Sequence, residues 1–124
     1  MPYSRENVLA WAEIPVSDIK AATAFYNAVF DFGATILSQE PNDTAMLSMN
    51  GIAAHLYPGK PAGDGSGPTL HLGVEGKLED TAERWKKAGG QILCDPISIP
   101  PGRFVYGLDP DGNSIGLFES AQAA

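Results

Sequence analysis

The sequence has few of the residues that most often act as nucleophiles or metal ligands. Cys94 is the only cysteine, which excludes an intrachain disulfide and a cysteine metal cluster. A single thiol between Leu93 and Asp95 is expected to be a small core residue rather than a nucleophile. The chain has two histidines and no Ser-His-Asp or Cys-His spacing signature, which excludes many nucleophilic mechanisms.

Positive charge and long apolar stretches are also scarce. Eight Lys and Arg residues stand against fifteen Asp and Glu, the net charge is −7, and no basic run occurs. Nucleic acid and anionic membranes are therefore not expected partners, because phosphate neutralisation needs clustered cations. No apolar stretch approaches the roughly 18 to 20 residues that span a bilayer, and residues 1–7 lack the pattern of a targeting peptide. The sequence predicts a cytoplasmic protein.

Glycine and proline are abundant and indicate many tight turns. The chain has 124 residues, 44% of them hydrophobic, with 14 glycines and 10 prolines. A chain of this length can bury roughly two thirds of its unfolded surface, which is enough for one domain and not for two. We therefore expect a single domain over residues 1–124.

The first half of the chain reads as a strand, a helix and three further strands. The helix is predicted behind an N-cap at Ser17 or Asp18, with Gly33 as its end. Asn50-Gly51 is a strong signal for a hairpin between the last two strands. The predicted strands are Val8–Val16, Thr35–Ser38, Ala45–Met49 and Ile52–Tyr57, and the helix extends from about Ile19 to Phe30.

The second half repeats this order after Pro58–Pro68, a Gly- and Pro-rich segment predicted to be a linker or a mobile lid. Gly89-Gly90 is the expected end of the second helix, and Asp109–Gly112 is a type I turn. The predicted elements are strands at Thr69–Val74, Gln91–Leu93, Phe104–Leu108 and Ser114–Glu119, a helix at Leu78–Ala88 and a loop at Asp95–Gly102.

The two halves are an internal repeat with an offset of about 58 residues. Glu13 aligns with His71, Val16 with Val74 and Gly33 with Gly90. Each module, about 8–57 and about 69–120, has one apolar sheet face that must be covered by the other module or by another chain.

Three phrases resemble the vicinal oxygen chelate superfamily of glyoxalases, bleomycin-resistance proteins and dioxygenases. They are EIPVSDIKAATAFYNAVF in the first half, and AGGQIL and DPDGNSIGL in the second. The resemblance covers roughly Val8 to Glu119. It implies an α+β fold of two tandem βαβββ modules forming a concave mixed-sheet shell, and a homodimer.

Enzymes of this superfamily hold a divalent metal on the first and last strand of each module, where it acts as a Lewis acid. The resemblance assigns these ligand positions to Trp11, His55, Thr69 and Gly116. Only His55 is a suitable ligand, since indole and glycine offer no donor and threonine is a poor one. The usual four-ligand site is therefore largely missing.

A shifted site remains open, because alternate strand residues share a face. Glu13 lies two residues after Trp11, and His71 lies two residues after Thr69, about 6.6 Å along each strand. With His55 they form the set of two histidines and one carboxylate that binds Ni, Zn, Fe, Mn or Co. These three residues are the candidate catalytic residues, with His55 as the principal candidate metal ligand.

Five further residues are candidate ligand contacts, and each has a structural alternative. An aromatic residue in a strand is often a cavity wall or a core residue, and Arg103 is either an anchor for a substrate carboxylate or a surface arginine. His55 could equally be a hydrogen-bonded structural residue, and His71 an exposed one. The five candidates are Trp11, Tyr57, Arg103, Tyr106 and Phe118.

Three functions are compatible with this pattern. The first is a binding protein for a small oxygenated or aromatic metabolite, with no certain cofactor. The second is a metal-dependent lyase, isomerase or dioxygenase of glyoxalase type that uses Glu13, His55 and His71. The third is a protein with a filled cavity that acts through dimerisation alone.

Overall fold

The structure, a computed structural model, describes residues 9–38, 40, 42–48 and 53–121. The chain divides into two compact units. The first contains residues up to 27 and 31–61, and the second contains residues 28–30 and 62–124. None of the helices in the described part of the chain has the length and apolar character needed to cross a membrane.

The first unit contains a four-stranded mixed sheet in the order β1-β4-β3-β2. β1 and β4 are parallel, and the other neighbours are antiparallel. Pro15 lies in β1, an edge strand, where its missing N–H interrupts no second ladder. The elements of this half of the chain are β1 (Ala12–Val16), α1 (Ile19–Phe30, whose last three residues belong to the second unit), β2 (Ile36–Leu37), β3 (Thr44–Met46) and β4 (Ala54–Pro58). The predicted Asn50-Gly51 turn lies outside the described residues.

Helix α1 has the predicted bounds, Ile19 and Phe30, but the residue that caps its end is Asp31 and not the predicted Gly33. The Asp18 carboxylate accepts hydrogen bonds from the N–H groups of Lys20 and Ala21, as an N-cap does. The helix ends at Asp31, which has a left-handed conformation with φ 58°, and not at Gly33. Aspartate tolerates this conformation better than most residues, so no glycine is needed at the helix end.

The second unit contains a mixed sheet in the order β5-β9-β8-β6, with β7 also paired to β8. β5 and β9 are parallel, and the other pairs are antiparallel. The elements are β5 (Leu70–Gly73), α2 (Leu78–Ala88), β6 (Gln91–Ile92), β7 (Ile97–Ile99), β8 (Gly102–Leu108) and β9 (Ser114–Ser120). The predicted α+β class with two mixed sheets is confirmed.

Helix α2 is anchored on this sheet by Trp85, which is fully buried. The indole Nε1–H donates to the Gln91 carbonyl oxygen at 3.0 Å. A Cβ added at Gly107 of β8 would lie 2.9 Å from the Gln91 carbonyl oxygen and 3.1 Å from the indole Nε1, so the missing side chain makes room for this hydrogen-bonded pair. Leu78 is also buried on this helix, and α2 ends at Gly89 with φ 118°, as predicted.

The prediction of a loop at Asp95–Gly102 is wrong in part, because this segment contains β7 and the first residue of β8. All three residues of β7 are exposed, since the strand lies beside β8 with no further strand assigned on its other side in the described part of the chain. Prolines at 96, 100 and 101 flank it. The three-residue strand is too short to show an alternating pattern between them.

The second half of the predicted linker Pro58–Pro68 is packed against the turn between β8 and β9. The Gly65 N–H donates to the Gly112 carbonyl oxygen at 2.8 Å, and Gly63 lies directly against Gly112. Both contacts depend on glycines, because backbone can approach backbone this closely only without a Cβ.

Candidate functional site

Glu13 and His55 lie side by side on the first sheet. Parallel pairing of β1 and β4 places the two residues opposite each other. Glu13 Oε2 lies 3.7 Å from His55 Nε2, an ion-pair distance if the imidazole is protonated. The side chain of His55 is 16% exposed and that of Glu13 is 55% exposed. The structure therefore brings together two of the three candidate catalytic residues, at the solvent boundary.

The alternation of these strands explains why both side chains avoid the core. Ile14 and Leu56, the next residues along β1 and β4, are buried. Glu13 and His55 consequently point to the opposite face of the sheet. Tyr57 shares that face, and its ring meets the His55 ring edge-on at 6.5 Å between centroids.

His71 lies in the second unit, at the position that Glu13 has in the first. It is opposite Gly116 in the parallel pairing of β5 and β9. A Cβ on Gly116 would overlap the imidazole of His71, so the ring lies directly over this glycine. Gly116, to which the resemblance assigns the last-strand metal position, is thus covered by the His71 side chain.

Three rings form a contact cluster on this face of the second sheet. The centroids of His71 and Phe104 are 5.0 Å apart, those of His71 and Tyr106 are 5.9 Å apart, and those of Phe104 and Tyr106 are 5.1 Å apart. The ring plane of Phe104 is nearly perpendicular to the ring planes of His71 and Tyr106, a favoured aromatic geometry. Together with Phe118, which lies opposite Phe104, we call these rings the aromatic face.

Two residues of the aromatic face are exposed to solvent, and three exposed apolar residues, which we call the apolar border, lie beside it. His71 is exposed and Tyr106 is 39% exposed, whereas Phe104 is buried. Strand pairing brings three further exposed apolar side chains to the same face, opposite Tyr106, Phe104 and Gly102. These are Leu93, Ile97 and Ile99.

Cys94 lies at the edge of this face and is half-buried, so it is not the core residue that the sequence predicts. Its sulfur accepts a hydrogen bond from the Tyr106 N–H at 3.4 Å. The short connection between β6 and β7 holds the thiol beside β8.

Arg103, a candidate anchor for a substrate carboxylate, is already engaged by two carboxylates of the chain. Its Nη1 and Nη2 donate to the two oxygens of Glu79 at 2.7 Å each, a bidentate pair. Its Nε donates to Glu119 Oε1 at 3.0 Å, and the same oxygen accepts the Leu78 N–H at the start of α2. The group therefore ties β8 and β9 to the first turn of α2, where Lys77 supplies no cap.

This cluster lowers the pKa values of both carboxyls. The Arg103 hydrogen bond lowers the pKa of Glu79 below its ordinary 4.5. The pKa of Glu119 is lowered as well, mainly by the hydrogen bond from the Leu78 N–H and next by the hydrogen bond from Arg103. A carboxyl whose pKa is lowered by folding contributes stability above its unfolded pKa, and this contribution is lost as the pH falls through the folded value.

We expect Arg103→Gln to be less stable than the wild type at pH 7, with a difference that shrinks below about pH 4.5 as Glu79 and Glu119 become protonated. Urea unfolding midpoints measured between about pH 2.5 and 7 would show this convergence. Lys86→Gln, which removes an exposed pair with Glu83, is the control and should follow the wild-type profile. An Arg103→Gln deficit that is equal at pH 3 and pH 7 contradicts the assignment.

The residues present do not fit the metal site of the family. The Trp11 side chain has no donor for a metal and is 62% exposed, the Thr69 hydroxyl is paired with the Ser114 hydroxyl, and Gly116 has no side chain. Among residues 9–38, 40, 42–48 and 53–121, no group of three or more His, Cys, Asp or Glu side chains could hold a metal ion. His55 and Glu13 alone provide two donors.

Sequence reasoning named Tyr106 and Phe118 of the aromatic face as candidates, but it did not name Phe104, Leu93, Ile97 or Ile99. The alternation of Phe104 with Val105 and Tyr106 was the available signal, since residues 104 and 106 share a face. The apolar border could not be found in this way, because strand pairing across the sheet brings it into place.

Known proteins with this chain's fold are found at low sequence identity. A glyoxalase/bleomycin resistance protein from Albidiferax ferrireducens superposes with a TM-score of 0.72, 19% identity, and coverage of 91% of this chain and 98% of that one. The fosfomycin resistance protein FosX from Mesorhizobium loti gives a TM-score of 0.66, 19% identity and 96% coverage of both chains. At these identities the likeness concerns the fold.

A curated relative is the anthracycline biosynthesis protein DauV from Streptomyces sp. (strain C5), which is 26% identical over 93% of this chain. The chain spans 42% of the length of that relative. A family profile described as Glyoxalase/Bleomycin resistance protein/Dioxygenase superfamily matches residues 8–117. The resemblance found in the sequence is confirmed, and the chain belongs to the glyoxalase/bleomycin resistance protein/dioxygenase superfamily.

Proposed function

We propose that the protein binds a small planar aromatic molecule on the aromatic face of its second unit. The observation that carries this proposal is the exposure of His71 and Tyr106 in a cluster whose rings are already oriented by contacts with Phe104. Pre-oriented rings lose little conformational entropy when a ligand stacks on them. The exposed apolar border adds area that a flat ligand can cover.

The relatives support this ligand class. DauV is named for anthracycline biosynthesis, and anthracyclines contain a fused planar ring system. Because the chain is 26% identical to DauV and spans 42% of it, we take the aromatic character of the ligand from this name and not a reaction. The family description also includes bleomycin resistance.

We expect Tyr106→Ala to weaken binding of an anthracycline by roughly two- to twelvefold, because one ring contact contributes about 0.5–1.5 kcal/mol. The dissociation constant is measured by quenching of the anthracycline's own fluorescence. Leu37→Ala, which truncates an exposed apolar residue in the other unit, is the matched control and should bind as the wild type does. Equal affinity of Tyr106→Ala and the wild type would place the ligand elsewhere.

The alternative is a metal-dependent lyase, isomerase or dioxygenase, and the contact between Glu13 and His55 favours it. Two donors are fewer than a catalytic metal site uses, so this function needs donors beyond that pair. Repeating the anthracycline titration after treatment with a chelator separates the two functions. Unchanged affinity supports the binding protein, whereas loss of binding that is restored by a divalent metal supports the alternative. The homodimer and the cytoplasmic location stay predictions.

A further inference from the structure

His71 is the one member of the aromatic face whose ring carries nitrogen atoms. Its imidazole is held by Phe104 on one side and Tyr106 on another, with Gly116 beneath it. The glycine is required for this position, because any Cβ at residue 116 would overlap the ring. A polar ring is therefore held in orientation on a face whose other members are Phe104, Phe118 and Tyr106.

The nitrogen atoms of His71 are not used by the described part of the chain, in which the ring makes aromatic contacts and no recorded hydrogen bond. The ring atoms nearest to the Cβ position of Gly116 are Nδ1, Cε1 and Cγ. Nε2 is not among these three atoms and lies farther from the glycine than they do. His71 is exposed as a residue, so we take Nε2 as the nitrogen that meets a molecule covering the aromatic face.

We infer that the ligand is an aromatic molecule with a ring oxygen substituent, a phenolic hydroxyl or a carbonyl, and that His71 Nε2 hydrogen-bonds this oxygen. The inference rests on the proposed function, since it needs a flat ligand stacked on the same face. A neutral imidazole can donate or accept at Nε2 according to its tautomer, so either oxygen type finds a partner. A ligand that lacks the oxygen displaces the water around the imidazole of His71 but gives the ring nitrogen no hydrogen bond in exchange.

The Tyr106 hydroxyl is the competing polar group on this face, at a ring distance of 5.9 Å from His71. The test therefore compares His71→Phe with Tyr106→Phe, because each substitution keeps a ring and removes a polar group. 2-Naphthol and naphthalene are suitable probes, since they differ by one hydroxyl. The ratio of their dissociation constants in each variant, measured by the quenching of probe fluorescence, cancels differences in stacking.

We expect His71→Phe to reduce the preference for 2-naphthol by about fivefold relative to the wild type, the contribution of one hydrogen bond, and naphthalene to bind this variant no more weakly than it binds the wild type, because no imidazole nitrogen is then left without a partner. Tyr106→Phe should keep the wild-type preference, and His71→Asn should restore part of it. Full preference in His71→Phe, or its loss in Tyr106→Phe, overturns the assignment to His71. If the wild type binds both probes without preference, the inference fails and the proposed function stands. If it binds neither probe nor an anthracycline, the proposed function itself fails.

Discussion

Replacing Trp85 with alanine is expected to lower the free energy of unfolding by about 3–5 kcal/mol. Trp85 has no exposed surface, and its ring meets Phe30 edge-on at 6.3 Å between centroids. The substitution leaves a cavity between α2 and the second sheet and deprives the Gln91 carbonyl of its donor. Urea unfolding, followed by circular dichroism, measures the change.

The chain contains its own control, because the second tryptophan, Trp11, is 62% exposed. Trp11→Ala should change the free energy of unfolding by less than about 0.5 kcal/mol, as surface substitutions do. Similar losses in the two variants would contradict the packing of α2 described above. The comparison separates burial from residue type, since both variants lose the same atoms.

Gly112→Ala is expected to lower the free energy of unfolding by about 2–4 kcal/mol. Gly112 has φ 81°, a left-handed conformation that costs an alanine roughly 1–2 kcal/mol. A Cβ at this position would also overlap the backbone of Gly63, and backbone cannot move aside as a flexible side chain does. Thermal unfolding and urea unfolding both report the loss.

Comparison with Gly33→Ala separates the steric part of this effect from the conformational part. Gly33 has a comparable φ of 68°, but a Cβ there would meet no atom within 4 Å. We expect it to show only the conformational cost of about 1–2 kcal/mol. Equal effects of the two substitutions would mean that residues 63 and 112 are not in contact, and the segment after Pro58 would then be the mobile lid that its composition predicts.

Much of the fold could be predicted because local signals agreed with the structure. The carboxylate of Asp18 caps α1, and Gly89 ends α2, as their positions beside apolar stripes indicate. The predictions failed where a signal was short or ambiguous. β7 has three residues between prolines, and α1 ends on an aspartate that takes a conformation more often given to glycine.

The candidate site could be predicted only in part. Glu13 and His55 were expected on one face, and the register of β1 with β4 places them opposite each other. Arg103 illustrates the limit of this reasoning, because its partner Glu79 is 24 residues away and belongs to another element. No pattern within either segment indicates that the two would pair.

The sequence by itself determined the repeat, the α+β class, the two helices, and the absence of most family metal ligands. The repeat is found by comparing residues about 58 positions apart, whereas the helices depend on residue type and on spacing within about a dozen residues, which local geometry translates directly into structure. The tertiary structure decided which groups remain available for a ligand. It engaged Arg103 with two carboxylates and laid His71 over Gly116 among the aromatic rings. Strand register alone brings residues 71, 106 and 116 together, and register is set by pairing across the sheet.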